Sequence, residues 1–123
     1  MPYGSNSGAE TVSFTSDGGF VVGGFVNSVD GVSGINFKSS GQVTGATPFI
    51  GKISAADAAG SSAPSSFEWT YTKTGEEYMG SAKALRIDSS DNVYSVVGTM
   101  ATAVKLSSSG SETWVTGQLD AGV

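Results

Sequence analysis

The chain has 123 residues, the size of one ordinary domain, and carries 11 acidic against 6 basic residues, a net charge of −5. It contains no histidine and no cysteine, which excludes Ser-His-Asp and Cys-His catalysis, typical zinc sites and disulfides. The acidic balance repels nucleic acid and anionic membrane surfaces, and no apolar run approaches the ~18 residues of a membrane span, so we expect no nucleic acid partner and no membrane insertion.

The composition favours strands over helices. The 18 glycines and the long stretches of Ser, Thr and Ala are typical of turns and tightly packed sheets. We therefore predict an all-β fold, with residues 1–123 forming a single β domain of two repeats.

The first repeat is predicted over residues 10–73. Its four strands are expected at 10–14, 20–25, 49–53 and 67–72. The sequence SDGG at 16–19 supplies the Asp and Gly that a tight turn with positive φ needs. Long connections at 26–46 and 54–66 separate the later strands, and loops of this length are often functional.

The second repeat is predicted over residues 82–117, with short connections. Its strands are expected at 82–87, 93–98, 101–106 and 113–116, with turn sequences SDN at 90–92 and SSSG at 107–110. Each repeat then reads as an up-and-down antiparallel sheet of four strands.

Motifs recur in the same order in the two repeats. The alignment sets Asp17 on Asp91 and Phe20 on Tyr94, with one extra residue in the second turn. Further along, it sets Lys52 on Lys105 and Trp69 on Trp114. A period of this kind indicates a repeat architecture.

The second strand of each repeat is apolar on both faces. Residues 20–25 read FVVGGF and residues 93–98 read VYSVVG, and side chains alternate between faces along a strand. Burial of both faces would require a cover on both sides of each sheet, which stacked blades provide. We predict two tandem, blade-like four-stranded antiparallel sheets (propeller-like), with an eight-stranded β-sandwich as the alternative.

The segment TSDGGFVVGGF, followed by a lysine strand and a tryptophan strand, resembles a repeat of the bacterial-type seven-bladed β-propellers. The matching residues are Asp17, Gly18, Gly19, Phe20, Gly24, Lys52 and Trp69, and then Asp91, Asn92, Tyr94, Gly98, Lys105, Gly110 and Trp114. The resemblance implies blade-like sheets but no particular function. Because propellers close with about 4–8 blades, three readings stay open: a fragment of a longer propeller, an assembly with copies or other chains, or a self-contained sandwich.

Oxygen-bearing side chains cluster in the second turn. Asp88 and Asp91, with Ser90 and Asn92, are weak candidates for a Ca²⁺ site, and capping of the turn by Asx hydrogen bonds is the alternative. Glu76 and Glu77 are adjacent in sequence and would point apart in an extended chain. We interpret them as solvated loop charges.

Repeated aromatic and lysine residues are predicted to serve packing. Trp69, Trp114, Phe20 and Tyr94 are the candidates for contacts between sheets or partners, with a platform for a sugar ring as the alternative for the tryptophans. Lys52 and Lys105 are expected to extend their stems over a neighbouring sheet and to keep their ammonium groups in water.

These features predict a non-enzymatic structural or protein-interaction module without a cofactor. Its partners would be copies of itself in a self-assembling scaffold, or further blades of a longer propeller. The alternative is a carbohydrate- or Ca²⁺-dependent adhesive module that uses the 26–46 connection and the Asp-rich turns. An extracellular or cell-surface location is favoured over others.

Overall fold

The computed structural model describes residues 8–28, 42–75 and 78–117, which form two four-stranded sheets. The first sheet contains β1 (Gly8–Phe14), β2 (Phe20–Ser28), β3 (Gln42–Ile53) and β4 (Trp69–Thr72), and the second contains β5 (Ala82–Ile87), β6 (Val93–Val97), β7 (Thr102–Leu106) and β8 (Glu112–Val115). In each sheet the strands lie side by side in chain order, and every neighbouring pair is antiparallel. The predicted all-β fold of two tandem four-stranded antiparallel sheets is confirmed.

The two long connections differ from their prediction. β2 runs through Ser28 and β3 begins at Gln42, so strand structure occupies both ends of the predicted 26–46 connection. Its middle, residues 29–41, lies outside the described residues. The 54–66 connection contains a short helix, α1 (Ala55–Ala59), that the sequence analysis did not predict. The Ser54 hydroxyl caps this helix by accepting a hydrogen bond from the Asp57 amide.

The turns that join β1 to β2 and β5 to β6 have the same length. Phe14 pairs with Phe20, and Ile87 pairs with Val93, so each turn contains five residues. The sequence alignment had placed an extra residue in the second turn and set Phe20 on Tyr94. That register is wrong, because the residue of β6 that matches Phe20 is Val93.

The left-handed residue of each turn explains the shared length. Gly18 has φ of 98° and Asp91 has φ of 65°. Their amides donate to the carbonyl oxygens of the first turn residues, Thr15 and Asp88, at 3.3 and 2.9 Å. Glycine adopts positive φ without steric cost, and Asp is one of the few other residues that tolerate it. Asp91 therefore corresponds to Gly18, and not to Asp17.

The same register continues across both sheets. Lys52 pairs with Trp69 on the neighbouring strand, and Lys105 pairs with Trp114. The first strand of each sheet is also interrupted by an irregularity at the same place in its pairing. The two sheets are thus copies of one unit, and the predicted equivalence of the lysines and tryptophans is confirmed.

The two sheets stack face to face around one hydrophobic core. The first sheet contributes Val21 and Ile50, and the second contributes Ala82, Leu85, Val93, Val97, Val104 and Leu106. β1 and β2 lie over β5, and β4 reaches β8 through a hydrogen bond from Tyr71 to Glu112. β1 thus lies over its equivalent β5, and β4 is bonded to its equivalent β8, so the two sheets stack in the same strand order.

Among residues 8–28, 42–75 and 78–117, one face of each sheet is buried and the other is partly open. On the outer face of β6, Tyr94 and Val96 are half-buried. On the outer face of the first sheet, Phe20 and Val22 are half-buried and Phe14 is 76% exposed. The prediction that both faces of the second strand are buried is therefore wrong for a single chain. Both faces are apolar, as the sequence indicates, but each outer face of β2 and β6 is partly open.

A second apolar cluster covers part of the outer face of the first sheet. The rings of Phe49 and Phe67 meet edge to face, with centroids 5.1 Å apart, and Val26 and Val22 pack beside them. Gly51 lies under this cluster, where a Cβ atom would stand 2.7 Å from the Phe67 ring. The connection that follows β3 thus covers the β3 side of this face, while the β1 side remains open.

Val12 on β1 and Leu85 on β5 test the difference between the two faces, because they occupy equivalent positions. Leu85 is 1% exposed and Val12 is 53% exposed. In chemical denaturation of a dilute solution, Leu85→Ala should lower the free energy of unfolding by about 2–5 kcal/mol, since it leaves a cavity. Val12→Ala should lower it by less than about 1 kcal/mol. Equal losses would contradict burial of a single face.

Candidate interaction surface

Polar contacts join the two sheets toward both of their lateral edges. The carboxylate of Asp91 accepts from the Ser16 amide at 2.8 Å and from the Ser16 hydroxyl at 2.6 Å. At the far edge, the Trp69 indole N–H donates to the Ser108 carbonyl at 3.0 Å. The Trp69 ring lies directly on Gly110, where a Cβ atom would stand 2.5 Å from the ring. Trp69 therefore packs between the sheets.

A third contact between the sheets is built around Glu112 on β8. Its Oε1 accepts from the Tyr71 hydroxyl at 2.7 Å and from the Lys73 ammonium at 3.1 Å. Burial, followed by the hydrogen bond to Glu112, raises the pKa of Tyr71, and the Tyr71 hydrogen bond lowers the pKa of Glu112 despite partial burial. The phenol thus stays protonated and acts as a donor that ties β4 to β8.

The Lys52 side chain is buried, at 5% exposure, and is ion-paired. Its Nζ lies 2.6 Å from Asp17 and 3.5 Å from Glu68. Burial alone would lower the pKa of Lys52, but the hydrogen bond to Asp17 and the Glu68 charge outweigh it and raise the pKa. The expectation of an ammonium group in water is wrong here, because two carboxylates replace the water. The equivalent Lys105 instead lies over the Tyr94 ring, 5.4 Å from its centroid.

Asp17 links the first turn to β3. Its carboxylate accepts from Lys52, from the Thr15 hydroxyl at 2.6 Å and from the Gly19 amide at 2.9 Å. The Lys52 hydrogen bond, with those from Thr15 and Gly19, holds the pKa of Asp17 far below its usual range. This carboxylate therefore has a structural partner for each of its oxygens.

Asp88 uses both carboxylate oxygens to hold its own turn. Oδ1 accepts from the amides of Ser90 and Asn92, each at 2.9 Å, and Oδ2 accepts from the Asn92 side chain at 3.1 Å and the Tyr94 hydroxyl at 3.0 Å. Partial desolvation raises the pKa of Asp88, but these hydrogen bonds outweigh it and the pKa is lowered. The side chain forms the Asx turn that the sequence analysis gave as the alternative to a Ca²⁺ site.

The two weak metal candidates do not converge on a common point. Asp88 faces the turn that it caps, and Asp91 faces Ser16 of the first sheet. In the part of the chain that the structure describes, no group of three or more His, Cys, Asp or Glu residues could hold a metal ion. Glu76 and Glu77 lie outside the described residues.

The outer face of the second sheet carries a shallow groove of about 330 Å³. We call this surface the β5–β8 outer face. The residues that line its groove include Ala84, Arg86, Tyr94, Val96, Ala103 and Trp114. Trp114 is 43% exposed, so it does not pack between the sheets as Trp69 does. The sequence analysis named Tyr94 and Trp114 as packing residues. It missed Arg86 and the two alanines, which the alternation of faces along β5 and β7 could have found.

The outer face of the first sheet is open on its β1 side. We call it the β1–β2 outer face, formed by Val12, Phe14, Phe20 and Val22. Val12 and Phe14 are 53% and 76% exposed, and the rings of Phe14 and Phe20 meet edge to face at 6.1 Å. Phe20, a predicted packing residue, thus contributes to an open surface and not to the core between the sheets.

No protein-family model matches this chain, and no curated protein matches it. Within residues 8–28, 42–75 and 78–117, the structure has no helix with the length and apolar character of a membrane span. The evidence for function therefore comes from the surfaces of this chain.

The Asp17–Lys52 pair predicts a specific pH dependence of stability. Since the pKa of Asp17 is lower in the folded chain than its unfolded value near 3.8, its stabilising effect is complete above about pH 5 and declines as the pH falls below that value. Asp17→Asn should lower the Tm near neutral pH, because Lys52 then keeps only Glu68. It should also make the fall in Tm on acidification shallower than in the wild type.

Thermal melting between about pH 7 and pH 3 measures this effect. Asp57→Asn, at an exposed position on α1, is the matched control and should follow the wild-type curve. Some pH dependence should survive in Asp17→Asn, because the pKa values of Asp88 and Glu112 are also lowered. Parallel curves for Asp17→Asn and the wild type would show that the ion pair adds no pH-dependent stability.

Proposed function

We propose that this chain is a non-enzymatic protein-interaction module that associates with copies of itself through the outer faces of its two sheets. The observation that carries the proposal is an exposed aromatic residue on each outer face, Phe14 at 76% and Trp114 at 43% exposure. Each belongs to an apolar patch that includes a second aromatic ring, Phe20 or Tyr94. Contiguous exposed apolar surface of this kind marks interaction sites in soluble proteins.

The chemistry of the chain supports a role without catalysis. Histidine and cysteine are absent from the sequence. The carboxylates with lowered pKa values, Asp17, Asp88 and Glu112, are each bonded to neighbours that hold a turn or join the sheets. Their shifts are explained by structural contacts and need no catalytic role.

The stacking order supports the propeller-like interpretation of the two units. β1 lies over its equivalent β5 and β4 is bonded to its equivalent β8, so further units could be added on either side in the same way. In a longer propeller, additional blades would cover the same two outer faces. In the self-contained sandwich, nothing would cover them.

Adhesive binding of carbohydrate is the second candidate. The exposed Trp114 ring beside Arg86 and Tyr94 favours it, because sugars stack on aromatic faces and bond to guanidinium groups. The Ca²⁺-dependent form has less support, since both oxygens of Asp88 are already bonded within their own turn.

Self-association predicts a mean mass that rises with concentration. In sedimentation equilibrium from micromolar to near-millimolar concentrations, the wild type should exceed the 12.4 kDa of one chain. The double variant Phe14→Glu/Trp114→Glu should remain at that mass, because a charge on each outer face cannot be buried without a partner. Thr74→Glu/Ser62→Glu, at two exposed positions in connections, is the charge-matched control and should associate like the wild type. A wild type that stays monomeric throughout would refute the proposal.

A further inference from the structure

We propose that copies of this chain associate head to tail, with the β1–β2 outer face of one copy lying on the β5–β8 outer face of the next. The contact would repeat, between chains, the packing that joins the two sheets within a chain. This inference rests on the proposed self-association and specifies its partner and its geometry.

The β5–β8 outer face is equivalent to the face of the first sheet that is already covered by the second sheet. The register across the sheets sets Tyr94 on Val21 and Trp114 on Trp69. Val21 is fully buried between the sheets, and Trp69 packs on Gly110. The β5–β8 outer face is thus the second copy of a surface that, in the first unit, binds a sheet.

The β1–β2 outer face is in turn equivalent to the face of the second sheet that the first sheet covers. Val12 matches Leu85, and Phe20 matches Val93. Leu85 and Val93 are 1% and 0% exposed, because the first sheet covers them. The β1–β2 outer face is therefore the second copy of the surface that packs under a sheet, and the two outer faces are the two halves of one known interface.

Side-chain sizes on the two faces are complementary. Phe14 is larger than its equivalent, Ile87, and Ala103 is smaller than its equivalent, Ile50. Ala103 lines the groove of about 330 Å³ beside Trp114, and its cross-strand neighbour Val96 is larger than its own equivalent, Gly23. The head-to-tail contact thus brings the large Phe14 ring to the face that carries this groove, and close packing of an apolar side chain in a groove stabilises an interface.

Charge also favours contact between unlike faces. The β5–β8 outer face carries Arg86, with Lys105 over the Tyr94 ring. In the turn beside the β1–β2 outer face, the charge of Asp17 is already paired with that of Lys52, 2.6 Å away. Two β5–β8 faces brought together would place like charges opposite each other, whereas the head-to-tail contact sets Arg86 and Lys105 against a face whose residues, Val12, Phe14, Phe20 and Val22, carry no charge. A contact between two different faces is heterologous, so it continues into a ring or a filament.

The test uses one blocked face at a time. Phe14→Glu blocks the β1–β2 outer face, and Trp114→Glu blocks the β5–β8 outer face; both positions are exposed, so each variant should fold with a melting temperature close to the wild type. Each variant alone should lose association and sediment at 12.4 kDa. An equimolar mixture should form a complex of twice that mass and nothing larger, because each variant keeps the face that the other lacks. The conservative variants Phe14→Leu and Trp114→Phe should keep wild-type association.

One set of results would refute the head-to-tail contact alone, and another would also refute self-association. If the wild type associates but either glutamate variant still dimerises with itself, or their mixture stays monomeric, the head-to-tail geometry is refuted and self-association stands. If the wild type is monomeric at every concentration, both are refuted, and the open faces would have to be covered by further blades or by a different protein.

Discussion

The packing of Val21 and Ile50 onto the apolar face of the second sheet is the contact on which the rest of the structure depends. A four-stranded sheet has no interior of its own, so each unit needs another layer to bury its apolar side chains. Leu85, Val93 and Leu106 find that layer in the first sheet. The same contact determines which two faces remain outside, and therefore where the chain can bind a partner.

Polar contacts orient the two sheets relative to each other, but they do not substitute for the buried apolar core. The contact of Ser16 with Asp91 and that of Tyr71 with Glu112 are partly exposed, so each adds little free energy in water. Their effect is geometric, because one lies toward the β1 edge and the other at the β4 edge, and together they set one sheet over the other. Lys52 is different, since its ammonium group is buried and requires Asp17 and Glu68 as partners.

Much of the architecture could be predicted from the sequence. The eight strands, their order and the matched Lys52 and Lys105 follow from alternation, turn residues and the internal repeat. The register of β6 was missed because Asp91 occupies the left-handed position where glycine is expected. Helix α1 was missed because its five residues show no apolar period, although Ser54 and Asp57 have the spacing of a cap.

The candidate site was predicted only in part, for a physical reason. A sequence shows that a strand is apolar on both faces, but not whether anything covers each face. The equivalent residues Trp69 and Trp114 look alike in sequence, yet one packs between the sheets and the other is 43% exposed. The difference arises because the second sheet covers Trp69, whereas no sheet among the described residues covers Trp114.

Cross-linking between copies tests most directly whether the interface within the chain is repeated between chains. A Cβ atom at Gly23 would lie 3.3 Å from that of Ala82, and the equivalent positions on the two outer faces are Val96 and Ala9. Because the chain has no cysteine, Ala9→Cys and Val96→Cys each introduce a single thiol, and a shift of a few tenths of an ångström from 3.3 Å reaches the Cβ separation of about 3.5–4.5 Å at which disulfides form. If copies associate head to tail, an oxidised mixture should yield mainly the mixed Ala9→Cys/Val96→Cys dimer. Disulfide dimers of each variant with itself, in equal or greater yield, would contradict it.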